Sequence, residues 1–247
     1  VFGFLRDKPL EQVLLIILVF QVIRYALIAG GAFLAFWVLG RERFASIKLD
    51  SKPFQWKDAF REMRWSFLTM LVFLLPGAAV IHFNRSGQTL MYTDLASHGG
   101  LPWFALSIVL MLAVHDLYFY IIHRSMHHPL LYRYFHEVHH RSLNPTPWAA
   151  FSFHPLEALL ESGIIYVFIF LIPVHAGTIF TFQLLSLVMN VYGHLGHDVT
   201  PASWRPHGVL KYINTTRNHH WHHQRFNGNY GLYTTLWDRL LGTFKEV

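Results

Sequence analysis

The chain has 247 residues, 53% of them hydrophobic and only 14% charged, a length that suits one domain. It contains no cysteine, which excludes disulfides, thiolate zinc sites and iron–sulfur clusters. The net charge of +6 is spread between apolar stretches and forms no tail or run, so it reads as membrane topology and not as a nucleic-acid partner.

Near Val1 no cleavable signal with its own cleavage site is evident, and no repeat or linker divides the chain. Residues 1–247 are expected to form a single membrane-embedded domain. The first long helix is predicted over Leu10–Leu39, interrupted only by Glu11, Gln12, Gln21 and Arg24. A polar segment follows, and Arg41 to Arg64 carries seven Lys or Arg against four acids. The second span, Trp65–Phe83, has no acidic or basic side chain apart from His82, and Pro76 is expected to kink it. The loop from Asn84 to Gly100 carries only Arg85 and Asp94. By the excess of positive charge, the Arg41–Arg64 segment lies on the cytoplasmic side and this loop across the membrane. A third span is predicted over 101–122, with Pro102 in its first turn, running past His123 until Pro129 stops it. A short amphipathic helix, Leu130 to Arg141, precedes the breaker cluster Asn144-Pro145-Thr146-Pro147. Residues 155–192 read as a helical hairpin turning around Pro173 to Gly177, each arm short enough either to cross or to re-enter. Everything from His194 onward is polar enough for the cytoplasmic side. The expected fold is all-α: a bundle of about four to five membrane helices under a histidine-rich cap.

Eighteen histidines are too many for chance, and their spacing is more informative than their number. His123 and His127 lie four apart; His136, His139 and His140 form H-x-x-H-H; His219, His222 and His223 repeat it; His194 and His197 add a pair. Residues three and four apart share a helix face, so each group can aim its imidazoles at one point. The three main clusters alone supply eight rings, whereas one tetrahedral zinc takes about four ligands. Two metals fit that count. Imidazole suits iron, zinc, copper and nickel alike. His82, His98, His175 and His207 stand alone and are expected to be solvated or structural, and His128 and His220 point off the shared faces.

Other polar residues fall around these clusters. Asp116, Tyr120, His123 and His127 form an i, i+4, i+7, i+11 stripe. Asp116 lies about 10 Å along the axis from His123 and is expected to meet a histidine of another cluster, as ligating imidazoles commonly require. His115 stands between packing and support of the ligands. His154, before Pro155 and Glu157, stands as a ligand, a donor behind the ligands or the residue that starts a helix.

The run His115-Asp116-Leu117-Tyr118-Phe119-Tyr120, with His123-Arg124-Ser125-Met126-His127 and His136-Glu137-Val138-His139-His140, resembles the fatty acid hydroxylase/sterol desaturase superfamily. So do His219-His220-Trp221-His222-His223, Phe226-Asn227-Gly228-Asn229-Tyr230-Gly231, Trp237-Asp238-Arg239 and Gly242-Thr243. Asn144-Pro145-Thr146-Pro147-Trp148 and His154-Pro155-Leu156-Glu157 are most similar to the C-5 sterol desaturase branch and its bacterial relatives. The resemblance covers about Trp65 to Phe244. It implies a non-haem di-iron oxygenase of a bacterial inner membrane or the endoplasmic reticulum, consuming O2 and two electrons per turnover. The electrons would come from an external donor, a cytochrome b-type haem protein or a ferredoxin with its reductase. The implied substrate is a lipid, hydroxylated or desaturated, and zinc could replace iron in a purified sample. The implied ligands are His123, His127, His136, His139, His140, His194, His219, His222 and His223; His197 matches less well than His194 and stands as a further candidate.

Two other readings compete on the residues. A membrane zinc hydrolase would leave half of the histidines unexplained. A metal transporter or haem-binding membrane protein would set its histidines within the spans, whereas most of these lie beyond them.

Overall fold

The computed structural model describes residues 7–201, 203 and 208–247; His207 lies outside them. Helix α1, Leu10–Leu39, is continuous, although Ala26–Gly30 and Leu34–Leu39 wind as π-helix. It exposes Leu15, Leu27 and Leu39, an apolar surface that suits lipid and not water. At Gly30 the chain needs the missing side chain, because a Cβ would sit 2.9 Å from Trp148 Cη2.

The second span begins earlier than its apolar run. It comprises α2, Trp56–Val72, and α3, Leu74–Arg85. The extra turns are amphipathic and bury Ala59 and Glu62, so tertiary packing extends the helix beyond the hydrocarbon stretch. The break at Phe73 lies three residues before Pro76, whose ring and missing N–H disrupt the preceding turn.

Helix α4, Gly100–Met126, has 27 residues and is about 40 Å long. It exceeds the ~30 Å hydrocarbon core, which lets its last turn carry His123 out of the membrane. The predicted amphipathic helix is split into α5, Pro129–Phe135, and α6, Glu137–His140. The hairpin's first arm is also split, into α7, Pro155–Ser162, and α8, Ile164–Leu171. Tyr118 hydroxyl donates to Leu160 carbonyl at 2.5 Å, and a Cβ on Gly163 would meet that phenol; the helix bends there. The second arm, α9, Ala176–Gly193, is long enough to span. Among the described residues four helical stretches are long and apolar enough to cross a membrane, and the chain is an integral membrane protein.

Two pairings fix the alternation. Strand β1, Met91–Tyr92, pairs in parallel with β2, Val174–His175, tying the loops at one end of the bundle together. At the other end Leu49 N–H donates to Gly196 carbonyl and Asp198 N–H to Ile47 carbonyl. Helix α10, Thr216–Arg225, and α11, Leu236–Leu240, complete the cap. Every histidine of the main clusters lies at that second end.

Candidate metal centre

Four short stretches of chain deliver the rings. The last turn of α4 supplies His123, and His127 caps it. His136 occupies the joint between α5 and α6 with a φ of −121°, held there by its buried contact with Glu157, Nδ1 to Oε1 2.6 Å. Asn218 N–H donates to Thr215 Oγ1, capping α10; α10 carries His219, His222 and His223. His194 follows the last residue of α9.

The rings sort into two groups, His123, His127, His136, His140 and His222 in one and His139, His194, His219 and His223 in the other, with candidate ligand atoms within 4.8 Å of one another in each. The two H-x-x-H-H motifs are used in opposite senses. The first sends its i and i+4 rings, His136 and His140, to the five-membered group and His139 to the other. The second sends His219 and His223 to the four-membered group and His222 to the first. Two helical turns thus interlock, each supporting both groups, and the groups adjoin: the His140 and His223 ring centroids are 4.8 Å apart.

The protonation pattern suits a cation. Nδ1 of His123 donates to Tyr230 carbonyl (2.7 Å), that of His222 to Gly228 carbonyl (2.8 Å) and that of His194 to Asn190 carbonyl (2.7 Å). A carbonyl only accepts, so each of these rings, when neutral, presents a bare lone pair at Nε2. His194 Nε2 nevertheless lies 3.0–3.2 Å from the Nε2 atoms of His139, His219 and His223. One lone pair cannot serve three donors. Nε2 of His123 and of His136 is buried with no hydrogen-bond partner among the described residues, a desolvation cost that a metal ion removes. Burial lowers the pKa of His136, His139, His140, His219, His222 and His223 well below the ordinary histidine value, with neighbouring rings adding to it. His194 falls to about 4 for the same first reason. Neutral imidazole is the form that ligates. At a metal–nitrogen bond of about 2.1 Å, nitrogens 3.0–3.2 Å apart subtend roughly 90–100°, nearer a right angle than a tetrahedral one.

The acceptors behind the rings are themselves pinned. The carboxylate of Asp238 accepts from Tyr230 N–H (2.9 Å), Gly231 N–H (2.8 Å) and Thr243 hydroxyl (2.7 Å). Asn229, at φ 56°, exchanges two hydrogen bonds with the Lys245 backbone. The Gly228–Gly231 loop is a rigid brace whose carbonyls aim His123 and His222. Burial pushes the Glu157 carboxyl well above its ordinary range, with Glu161 adding to it. A cation on the far side of His136 would favour the carboxylate that accepts from Nδ1.

A profile described as Fatty acid hydroxylase matches residues 108–243, more than half of the chain. The chain belongs to the fatty acid hydroxylase family. A Delta(7)-sterol 5(6)-desaturase of Gibberella zeae is 35% identical over 159 residues, 64% of this chain and 47% of the relative. Human lathosterol oxidase is 33% identical over 77% of this chain and 60% of its own. A Delta(7)-sterol 5(6)-desaturase of Leptosphaeria maculans is 32% identical, covering 98% of this chain and 64% of its own. The chain thus spans about half to two thirds of the length of these curated relatives. No solved structure matches it.

Within this family member, several polar residues sit differently from the sequence reading. Asp116 does not meet a histidine: its carboxylate accepts from Tyr233 N–H, Thr234 N–H and Thr234 hydroxyl. It fastens the segment that follows the brace to α4. Tyr120 hydroxyl contacts Thr243 Oγ1 at 2.9 Å and Arg124 at 3.0 Å, also on the brace side. His154 starts α7, its Nδ1 accepting from Leu156 N–H. His197 lies outside both groups, Nδ1 bonded to Leu195 carbonyl and the ring edge-on to Trp37. His115 pairs with Tyr233 hydroxyl. His128 caps α5, and His98 and His175 lie at the opposite end, stacked on Tyr92 and capping α9 respectively. Asp238, Asn229 and Glu157 carried no assigned role in the sequence reading. Their signal was present only as motif residues, since backbone carbonyls leave no trace in side-chain spacing.

Proposed function

We propose that this protein is a membrane oxidase that holds two irons in the interlocked histidine groups and hydroxylates or desaturates a C–H position of a lipid, using O2 and two electrons. The observation that carries this reading is the pair of imidazole groups, five and four strong and buried except at His127, with candidate ligand atoms within 4.8 Å of one another in each. A hydrolytic zinc site needs fewer ligands and an open position, and leaves the second group without a purpose. Two bound irons would supply what side-chain acid–base chemistry lacks, the activation of O2 against an unactivated C–H bond.

The chain's own residues do the rest. Nine imidazoles resist oxidation better than thiolates would. The brace and Glu157 fix ring orientation and tautomer, so the site is arranged before substrate arrives. Burial keeps water from the reacting region. The names of the relatives favour a sterol-like lipid, with a fatty acyl chain as the other candidate. The basic loop between the first two spans supports a cytoplasmic cap, of the endoplasmic reticulum or a bacterial inner membrane. The electrons would come from a separate protein, a cytochrome b-type haem protein or a ferredoxin with its reductase. Zinc in a purified sample would be a substitute for iron.

Lipid profiling of cells with and without the active protein tests the reading. An oxidised or desaturated lipid should appear only with the active chain and only in air, and vanish in His139→Ala. A product that forms without O2 would overturn it.

A further inference from the structure

Eight of the nine grouped histidines are buried, and His127 alone is half-buried. The five-membered group therefore reaches the surface at one edge. Two half-buried aromatic rings frame that edge: Tyr132, 5.8 Å from the His127 ring, and Phe226, 4.7 Å from His140 and 6.1 Å from Tyr132. Phe226 holds its place at a cost. Its φ is 64°, a left-handed conformation rare for a bulky side chain, and such outliers gather where a site needs a fixed geometry. The charge around the edge is mostly positive. Arg225 adjoins Phe226 and is exposed; Arg141 is exposed and paired with Glu137, and Tyr132 feels Glu137 and buried Glu157 before Arg141; Arg124 is exposed and acts on Tyr230 more than buried Asp238 does, and the Tyr230 ring lies 5.1 Å from His127.

We propose that this rim of His127, Tyr132 and Phe226 is where an acidic one-electron redox protein docks and passes electrons to the five-histidine group. The inference rests on the oxidase reading, because only a reaction that consumes electrons needs the surface. The 247 residues contain no cysteine, and the oxidase reading takes its electrons from a separate protein. Electron transfer wants the shortest route to a ligand, and among the described residues this rim is where a grouped ring meets the surface. Basic side chains there would steer an acidic partner and orient it. Each encounter oxidises the donor by one electron and reduces one metal by one, so two encounters supply one turnover.

The test uses the full chain in lipid nanodiscs, loaded with iron and oxidised to the ferric state before O2 is removed, mixed in a stopped-flow instrument with a reduced, soluble cytochrome b-type haem domain bearing an acidic face. Dithionite serves as a small reductant that needs no docking. The double variant Arg225→Glu/Arg141→Glu should slow haem oxidation by about tenfold or more at low salt, with the difference shrinking as salt screens it, while dithionite reduces it at the wild-type rate. Phe226→Leu should slow the transfer step at saturating donor. Wild-type rates with the donor in both variants, or equal slowing with dithionite, would overturn the docking surface. A wild-type chain that takes electrons from neither reductant would overturn the oxidase reading, and the rim with it.

Discussion

The five-histidine and four-histidine groups share two motifs but are held by different means. In the five-membered group three rings have their Nδ1 anchored from outside their own helices, His123 and His222 on the Gly228–Tyr230 carbonyls and His136 on Glu157. In the four-membered group His194 is anchored on the Asn190 carbonyl one turn back on α9, and the Ser152 backbone acts on His139. His139 also packs against Phe153, ring centroids 5.2 Å apart, and Gly193 lies beneath His219. The first group is braced by hydrogen bonds and touches the surface at His127, whereas the second is enclosed by packing and wholly buried. If two metals bind as proposed, their surroundings would be unlike. The larger set reaches the surface at His127, and the smaller set is wholly buried.

That contrast is tested most strongly by deleting single rings. His194→Ala leaves three ligands in its group, and His127→Ala leaves four in the other. His194→Ala should lose about one of two metals by elemental analysis and lipid oxidation by more than the roughly 10–100-fold typical of partners behind a ligand. His127→Ala should keep more metal. Equal loss in both variants would break the distinction.

Acid should act next most strongly, and on the metal-free protein. Eight grouped rings outside the spans have pKa values lowered by burial, His194 to about 4. Their unfolded values lie near 6.5. The unfolded chain thus binds protons first, so stability is intact above about pH 6.5 and falls as pH drops from there through the folded values. A thermal melt of the metal-free chain in detergent should show Tm declining below that pH, with bound metal delaying the decline. A flat Tm between about pH 7 and 5 would contradict it.

Orientation comes third. Asp238→Ala frees the brace, and Glu157→Ala frees His136; each should weaken metal at the five-membered group by about 10–100-fold. Titration of metal into the stripped protein measures this, and uniform weakening at both groups would deny the brace its selectivity. The smallest effect belongs to Gly193→Ala, whose Cβ would lie 3.3 Å from His219 Cδ2. Crowding of this kind costs about 1 kcal/mol or somewhat more, and it should appear as weaker metal at the four-membered group alone.

Much of this was legible in the sequence, for reasons that particular residues make clear. The spans Leu10–Leu39 and Gly100–Met126 follow from long, mostly apolar stretches, and the break before Pro76 from its missing N–H. The nine grouped histidines follow from helical spacing together with family motifs. Spacing could not reveal how the rings divide, because His139 and His140 are neighbours in sequence yet serve different groups. It also could not separate His197 from His194, three residues away; Trp37 and the Leu195 carbonyl decide that in three dimensions. Asp116 misled because its stripe shows which face it occupies but not what packs there. The helix expected over Leu130–Arg141 breaks at His136 because a buried partner from α7, remote in sequence, outweighs local helical preference.

The central claim is that the two groups hold two metals in one centre. The most direct measurement loads the stripped, full-length chain with ferrous iron without O2 and counts the ions bound, by elemental analysis and Mössbauer spectroscopy together. The account predicts about two irons per chain in nitrogen-rich sites, falling to about one in His194→Ala. A single ion per chain in protein that is active without any reductant would contradict it.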